Sequence, residues 1–200
     1  MRGWLAAADV LSEVEDLVAQ PSVDDKGVGA FGFSIGAQAS LRAAARSDRI
    51  RAVLADGPVA SVFADEPSPV TGEEWLNYPA MWVFYQLLAL STGVASPPAL
   101  VDVLADIAPR PLLLLSTGTG HEALQLRKLF AAAAEPKSLF EIPETGHGGG
   151  LRARPAEYAE RLVTFFEANL DPAALALPDR PRQASSASPS ASLPDAPASR

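Results

Sequence analysis

Gly32-Phe33-Ser34-Ile35-Gly36 follows the apolar run Val28-Gly29-Ala30-Phe31 and precedes an alanine-rich helical pattern from Ala37 to Arg46. A strand that turns through G-x-S-x-G into a helix forms a sharp elbow, lifting the serine hydroxyl above the end of a sheet. The serine in such a turn is held in a strained backbone conformation. Side chains two positions to either side are expected to drive strand and helix into each other. Gly32 and Gly36 stand at those two places. A chain built around this turn must supply a sheet for the strand and layers of helix to cover it. The glycine-flanked His147 lies beyond two further strand patterns, so a serine and a histidine stand in an order that one sheet end can bring together.

The rest of the chain fits that demand. Trp4, Ala8, Leu11, Val14 and Val18 recur at helical spacing, and the pattern stops before Pro21. Strand patterns fall at Gly27–Phe33, Arg51–Ala55, Pro111–Ser116 and Ser138–Ile142, with helical patterns at Ile35–Arg46, Glu122–Ala134 and Pro155–Leu170. Continuous apolar runs separated by helices predict an α/β fold: a mostly parallel sheet with helices on both faces. Between the second and third strands, residues 57–108 depart from the alternation. They read as a small helical lid insertion, irregular to Tyr78, then helical over Pro79–Leu90 and Ala99–Ala108. Residues 1–170 make one domain. Residues 171–200, with the run Ser185-Ser186-Ala187-Ser188-Pro189-Ser190, lack apolar periodicity and are expected to be a disordered tail.

Composition excludes several functions. Cysteine is absent, so thiol catalysis, disulfides and a cysteine zinc site are ruled out, and His121 and His147 are the only histidines. Neither a metal nor a cofactor is expected. A net charge of −8 argues against a basic face for nucleic acid. Met1 to Gln20 carries acids and no apolar signal core, which gives the expectation of a cytoplasmic protein. The longest apolar run, Ala80 to Leu90, is about half a bilayer span. It predicts a buried or lid helix, with membrane contact the lesser reading.

Ser34 is the candidate nucleophile. A serine hydroxyl attacks at neutral pH only with a base in hydrogen-bond reach, and His147 is the candidate base. A carboxylate must orient the imidazole and stabilise its cation. Glu122 follows the third strand and is the first candidate, although an acid in a first helical turn is also favoured by the helix dipole alone. Asp56 ends the second strand and is the alternative acid. The backbone N–H of Ile35 is the candidate oxyanion donor. No His- and Gly-rich loop that could supply a second donor precedes Ser34. His121 reads as a surface neighbour of the acid loop. The aromatic run Met81-Trp82-Val83-Phe84-Tyr85 suggests a partly apolar substrate, or equally core packing.

Gly32 to Gly36, Arg51-Ala52-Val53-Leu54-Ala55-Asp56-Gly57, Ala108-Pro109-Arg110-Pro111-Leu112-Leu113-Leu114 and Gly146-His147 together resemble the α/β-hydrolase family. The likeness is to its dienelactone-hydrolase-like and prolyl-oligopeptidase-like branches and spans Trp4 to Leu170. The resemblance implies a partial α/β-hydrolase fold in which strands expected before the elbow, with their oxyanion loop, have no counterpart. Glu122 stands where aspartate is usual, and Ala37 replaces a frequent glycine. It further implies a serine-dependent hydrolase of a small-molecule ester or related acyl bond. A serine peptidase of the prolyl-oligopeptidase type, and a catalytically impaired fragment or non-catalytic binding module, remain open beside it. Without the preceding strands, the flank of Gly27–Phe33 is expected to be unpaired. Self-association through that sheet edge, poor solubility and marginal turnover follow as expectations.

Overall fold

The computed structural model describes residues 2–23, 27–118 and 120–170. The disordered tail expected at 171–200 lies outside the described residues. Helix α1 (Arg2–Val18) leads to strand β1 (Val28–Phe33), helix α2 (Ile35–Ala44) and strand β2 (Ile50–Asp56). After the insertion come β3 (Leu112–Thr117), α5 (His121–Ala132), β4 (Lys137–Ile142), the short helix α6 (Gly150–Ala153) and α7 (Pro155–Asn169); α3 and α4 belong to the insertion. All pairings are parallel and the order is β1-β2-β3-β4.

Side chains alternate across a strand, so β2 and β3 each feed two cores. Val53, Ala55, Leu112 and Leu114 face Val14 of α1, Leu41 of α2, and Leu126 and Leu129 of α5. Leu54, Leu113 and Leu115 face the other way, against Tyr158, Leu162, Phe165 and Phe166 of α7. Helices therefore cover both faces, as the continuous apolar strand runs require. On α1 the buried positions are Ala7 and Val14, with Val10 and Leu11 packed beside them. Ala8, expected on that stripe, is exposed instead.

Among the described residues β1 pairs with β2 alone, so its other edge is open. Phe31 and Phe33 on this strand remain 47% and 43% exposed. The serine-bearing strand is thus the edge of the described sheet, in line with the expectation that the flank of Gly27–Phe33 is unpaired.

The insertion differs from the expected layout at its start. Helix α3 spans Gly72–Thr92, so it begins seven residues before Pro79 and carries that proline inside it. Its start is set by a capping box: Glu74 N–H donates to the Thr71 hydroxyl, and the Glu74 carboxylate accepts from Thr71 N–H. That reciprocal pair satisfies donors a helix start otherwise leaves open. The helix is not buried. Trp75, Leu76, Trp82, Phe84, Leu87 and Leu90 are all exposed, which corrects the core-packing reading for Trp82 and Phe84 but not for Tyr85, which is partly buried. The partly buried positions of α3 are Glu74, Tyr78, Met81, Tyr85, Leu88 and Ala89. No helix among the described residues is long and apolar enough to cross a membrane.

Helix α4 (Leu100–Val103) continues into a 3-10 turn, Leu104–Ile107, where one helix over Ala99–Ala108 was expected. The insertion is fastened by Arg42 of α2, whose guanidinium donates to the Pro98 carbonyl, to Ser61 Oγ at 2.9 Å and to Asp65 at 3.5 Å. Asp65 in turn accepts from Leu100 N–H at 2.6 Å and Val101 N–H at 3.3 Å. Both charges are buried, and burial raises the Asp65 carboxyl and lowers the Arg42 guanidinium against their ordinary values, each opposed by the other's charge. Such a pair holds position more than it adds stability.

Candidate active site

Ser34 sits between β1 and α2 with φ 55° and ψ −115°, the one non-glycine residue of positive φ among the described residues. A conformation of this kind costs on the order of 1–3 kcal/mol and persists only where neighbours enforce it. Ser34 N–H donates to the Asp56 carbonyl at 2.8 Å, and Ser34 C=O accepts from Gln38 N–H at 3.2 Å. Gly32 is required sterically: a Cβ there would lie 2.4 Å from the Gly36 carbonyl oxygen. At Gly36 a Cβ would meet nothing within 4 Å, so the expectation that both glycines are obligatory holds for Gly32 alone.

Ser34 stands at the N-cap of α2, yet its side chain makes no cap hydrogen bond. Its Oγ instead lies 3.0 Å from His147 Nε2. His147 Nδ1 lies 2.9 Å from Glu122 Oε2. The other carboxylate oxygen of Glu122 accepts from Thr117 N–H at 2.9 Å and from the Thr117 hydroxyl at 3.2 Å. Thr117 Oγ1 also accepts from Gly148 N–H at 3.0 Å, so one threonine at the end of β3 positions both the acid and the histidine loop. The His147 side chain is 41% exposed and that of Glu122 17%, an arrangement open to a ligand on the histidine side. Phe33 flanks the imidazole, with ring centroids 5.1 Å apart.

Ile35 opens α2, where the first N–H groups have no intrahelical acceptor and the dipole favours negative charge. Among the described residues only α1 precedes β1.

The carboxylate of the alternative acid, Asp56, is hydrogen-bonded to Tyr158, while His147 Nδ1 is taken by Glu122. Asp56 is 3% exposed at the end of β2, and its Oδ2 accepts from the Tyr158 hydroxyl of α7 at 2.7 Å. Burial raises its carboxyl above the ordinary range; the Tyr158 hydrogen bond opposes this, nearby Glu122 adds to it, and His147 opposes it. Glu122 is the carboxylate brought to the imidazole because α5 begins at His121, just past the carboxyl end of β3 at Thr117, which places Glu122 in its first turn. His121 pairs with Glu66 at 2.8 Å rather than standing free, and Glu66 also accepts from Tyr85 of α3 at 2.5 Å. His121, Glu73, Asn77, Tyr78 and Met81 line a cavity of about 490 Å³ under the first turns of α3, which does not include Ser34 or His147. Sequence reasoning passed over Thr117, Tyr158 and Phe33. A hydroxyl-bearing residue at a strand's carboxyl end, and a tyrosine on an otherwise apolar helix face, were the available signals. Among the described residues no three His, Asp or Glu side chains are grouped to hold a metal.

The sheet order, the two helical layers and a serine elbow at a strand's carboxyl end can be compared with known structures. The chain superimposes on the α/β-hydrolase GrgF from Penicillium sp. sh18 with TM-score 0.57 at 17% identity, over 82% of this chain and 72% of that one. The chain has a partial α/β-hydrolase fold. An esterase of Pyrococcus furiosus aligns with TM-score 0.57 at 18% identity, covering 81% of this chain and 60% of that one. The N-acyl homoserine lactonase AidH aligns with TM-score 0.56 at 13% identity, over 82% and 70%. No family model matches the sequence, and no curated protein matches it. Within the α/β-hydrolase fold, the carboxyl ends of β1, β2 and β3 and the loop after β4 converge on one edge, where Ser34, Asp56, Glu122 and His147 lie.

Proposed function

We propose that this chain is a serine-dependent hydrolase of a small-molecule ester or related acyl bond. The observation that carries the reading is the unbroken polar chain from Ser34 Oγ through His147 to Glu122, with links of 3.0 and 2.9 Å. These lengths lie within the reach that proton transfer requires. An esterase and a lactonase among the structural neighbours support the acyl class.

In this reading Ser34 Oγ attacks the acyl carbon while His147 Nε2 takes the hydroxyl proton. The carbonyl becomes a tetrahedral oxyanion beside the Ile35 N–H. Glu122, fixed by Thr117, keeps the proton on Nδ1 and stabilises the imidazolium. His147 then returns the proton to the leaving oxygen, giving an acyl-Ser34 ester and the free alcohol. Water, deprotonated by His147, attacks that ester, releases the acid and restores Ser34.

Hydrolysis of p-nitrophenyl acetate tests the assignment. Ser34→Ala and His147→Ala are expected to abolish turnover, and Glu122→Gln to lower kcat by roughly 10⁴-fold. Asp56→Asn is expected to cost far less. A larger loss in Asp56→Asn than in Glu122→Gln would move the acid to β2. Turnover unchanged in Ser34→Ala would end the serine mechanism, and a folded chain without turnover would make a binding module the better reading.

A further inference from the structure

One buried polar pair at the site has no part in the mechanism above. Asp56 and Tyr158 meet beneath the His147–Glu122 pair, joined by a 2.7 Å hydrogen bond in an otherwise apolar layer of Leu54, Leu115 and Phe140. Asp56 Oδ1 accepts no hydrogen bond from any described residue. The next residue, Gly57, has φ 55° and forms the floor of the histidine: a Cβ there would lie 3.0 Å from His147 Cε1 and 3.4 Å from Glu122 Oε1. The backbone of Asp56 also holds the elbow, through its carbonyl and Ser34 N–H. One residue thus touches the nucleophile by its main chain and places a second carboxyl below the base.

We infer that Asp56, held by Tyr158, is a positioning residue that stabilises the imidazolium formed on His147 through its charge, without contact. This rests on the serine-hydrolase reading. A carboxylate needs company to stay ionised in an apolar layer, and a lone half-satisfied acid there is costly. The Tyr158 hydroxyl favours the ionised form by donating to it, while burial and the negative Glu122 favour the neutral form. The titratable groups acting on Asp56 are therefore Tyr158 from α7, Glu122 from α5 and His147 from the loop after β4. Of these, the Tyr158 hydroxyl and a positive His147 both favour a charge on Asp56, but only the charge on His147 changes during the reaction, appearing as Ser34 attacks. An interaction made mainly in the transition state raises kcat and leaves KM alone.

The test uses the full chain and the variants Asp56→Asn, Tyr158→Phe and both together, assayed on p-nitrophenyl acetate across pH. Asp56→Asn is expected to lower kcat roughly tenfold with KM unchanged, and to move the acid limb of kcat/KM to lower pH. Tyr158→Phe, which keeps the ring packing, is expected to change both in the same direction and by less. The double variant is expected to match Asp56→Asn, because Tyr158 acts through Asp56. An acid limb unmoved in Asp56→Asn, whatever its Tm, overturns the inference. Should that variant fail to fold, an unmoved limb in Tyr158→Phe overturns it equally. If Ser34→Ala is inactive while Asp56→Asn equals the parent, this inference alone fails; activity retained in Ser34→Ala removes the hydrolase reading as well.

Discussion

The strain at Ser34 has an identifiable cause and an identifiable support. Positive φ at a serine is tolerated because β1 and α2 are clamped on either side of it, by the Ser34–Asp56 and Gln38–Ser34 backbone bonds. The clamp leaves no room at Gly32, where any side chain meets the backbone of Gly36. Gly32→Ala is therefore expected to cost about 3 kcal/mol or more in stability, by overpacking against backbone that cannot yield. Gly36→Ala is expected to be neutral or stabilising by up to ~1 kcal/mol, since it replaces glycine in the first turn of a helix with open space beside it. Equilibrium denaturation of both variants checks this, and equal losses would contradict the steric account. The contrast shows what was legible in sequence at this scale. G-x-S-x-G located the serine, and strand order pointed to Glu122 and His147. The pattern could not say which glycine the turn needs, because that depends on which way α2 leaves the strand. Thr117 and Tyr158 were hidden for a similar reason: their hydroxyls matter through partners 31 and 102 positions away, Gly148 and Asp56.

Elements of the alternating βα region were legible because β2 and β3 are apolar and buried nearly throughout while α5 and α7 beside them bury one face, so apolar period and length agree. The insertion was legible in part: the helical patterns over Pro79–Leu90 and Ala99–Ala108 fall on α3 and on α4 with its 3-10 turn, but the exposed first turns of α3 carry no apolar stripe to mark its start. Its start was nevertheless written in Thr71-Gly72-Glu73-Glu74, a capping box that outweighs the proline seven residues on. What places the insertion is the Arg42–Asp65 pair, which joins α2 to the chain before α4. Arg42→Ala leaves Asp65 buried without its cation, and the expected loss is about 3–5 kcal/mol. Thermal or denaturant unfolding of that variant measures it. A loss under 1 kcal/mol would show that the insertion is held by its apolar contacts and not by the buried charge.

At the scale of the whole molecule, the open edge of β1 is the dominant unsatisfied feature, and the α/β-hydrolase resemblance anticipated it. Among the described residues no strand pairs with this edge, and Phe31 and Phe33 on the strand are exposed. Pairing with the same edge of another copy would satisfy its backbone groups. Light scattering on the 20.9 kDa chain is expected to report concentration-dependent association. Phe31→Lys, a charge on the exposed face of the edge, is expected to shift it toward monomer; a parent that stays monomeric at high concentration would contradict the edge account. The active-site claim stands or falls separately, on whether Ser34 is activated by His147. Treatment with an organophosphonate followed by proteolysis and mass mapping tests it most directly. The account predicts a single adduct on Ser34, lost in Ser34→Ala and strongly slowed in His147→Ala, whereas an adduct on another serine, or none on the folded protein, would contradict it.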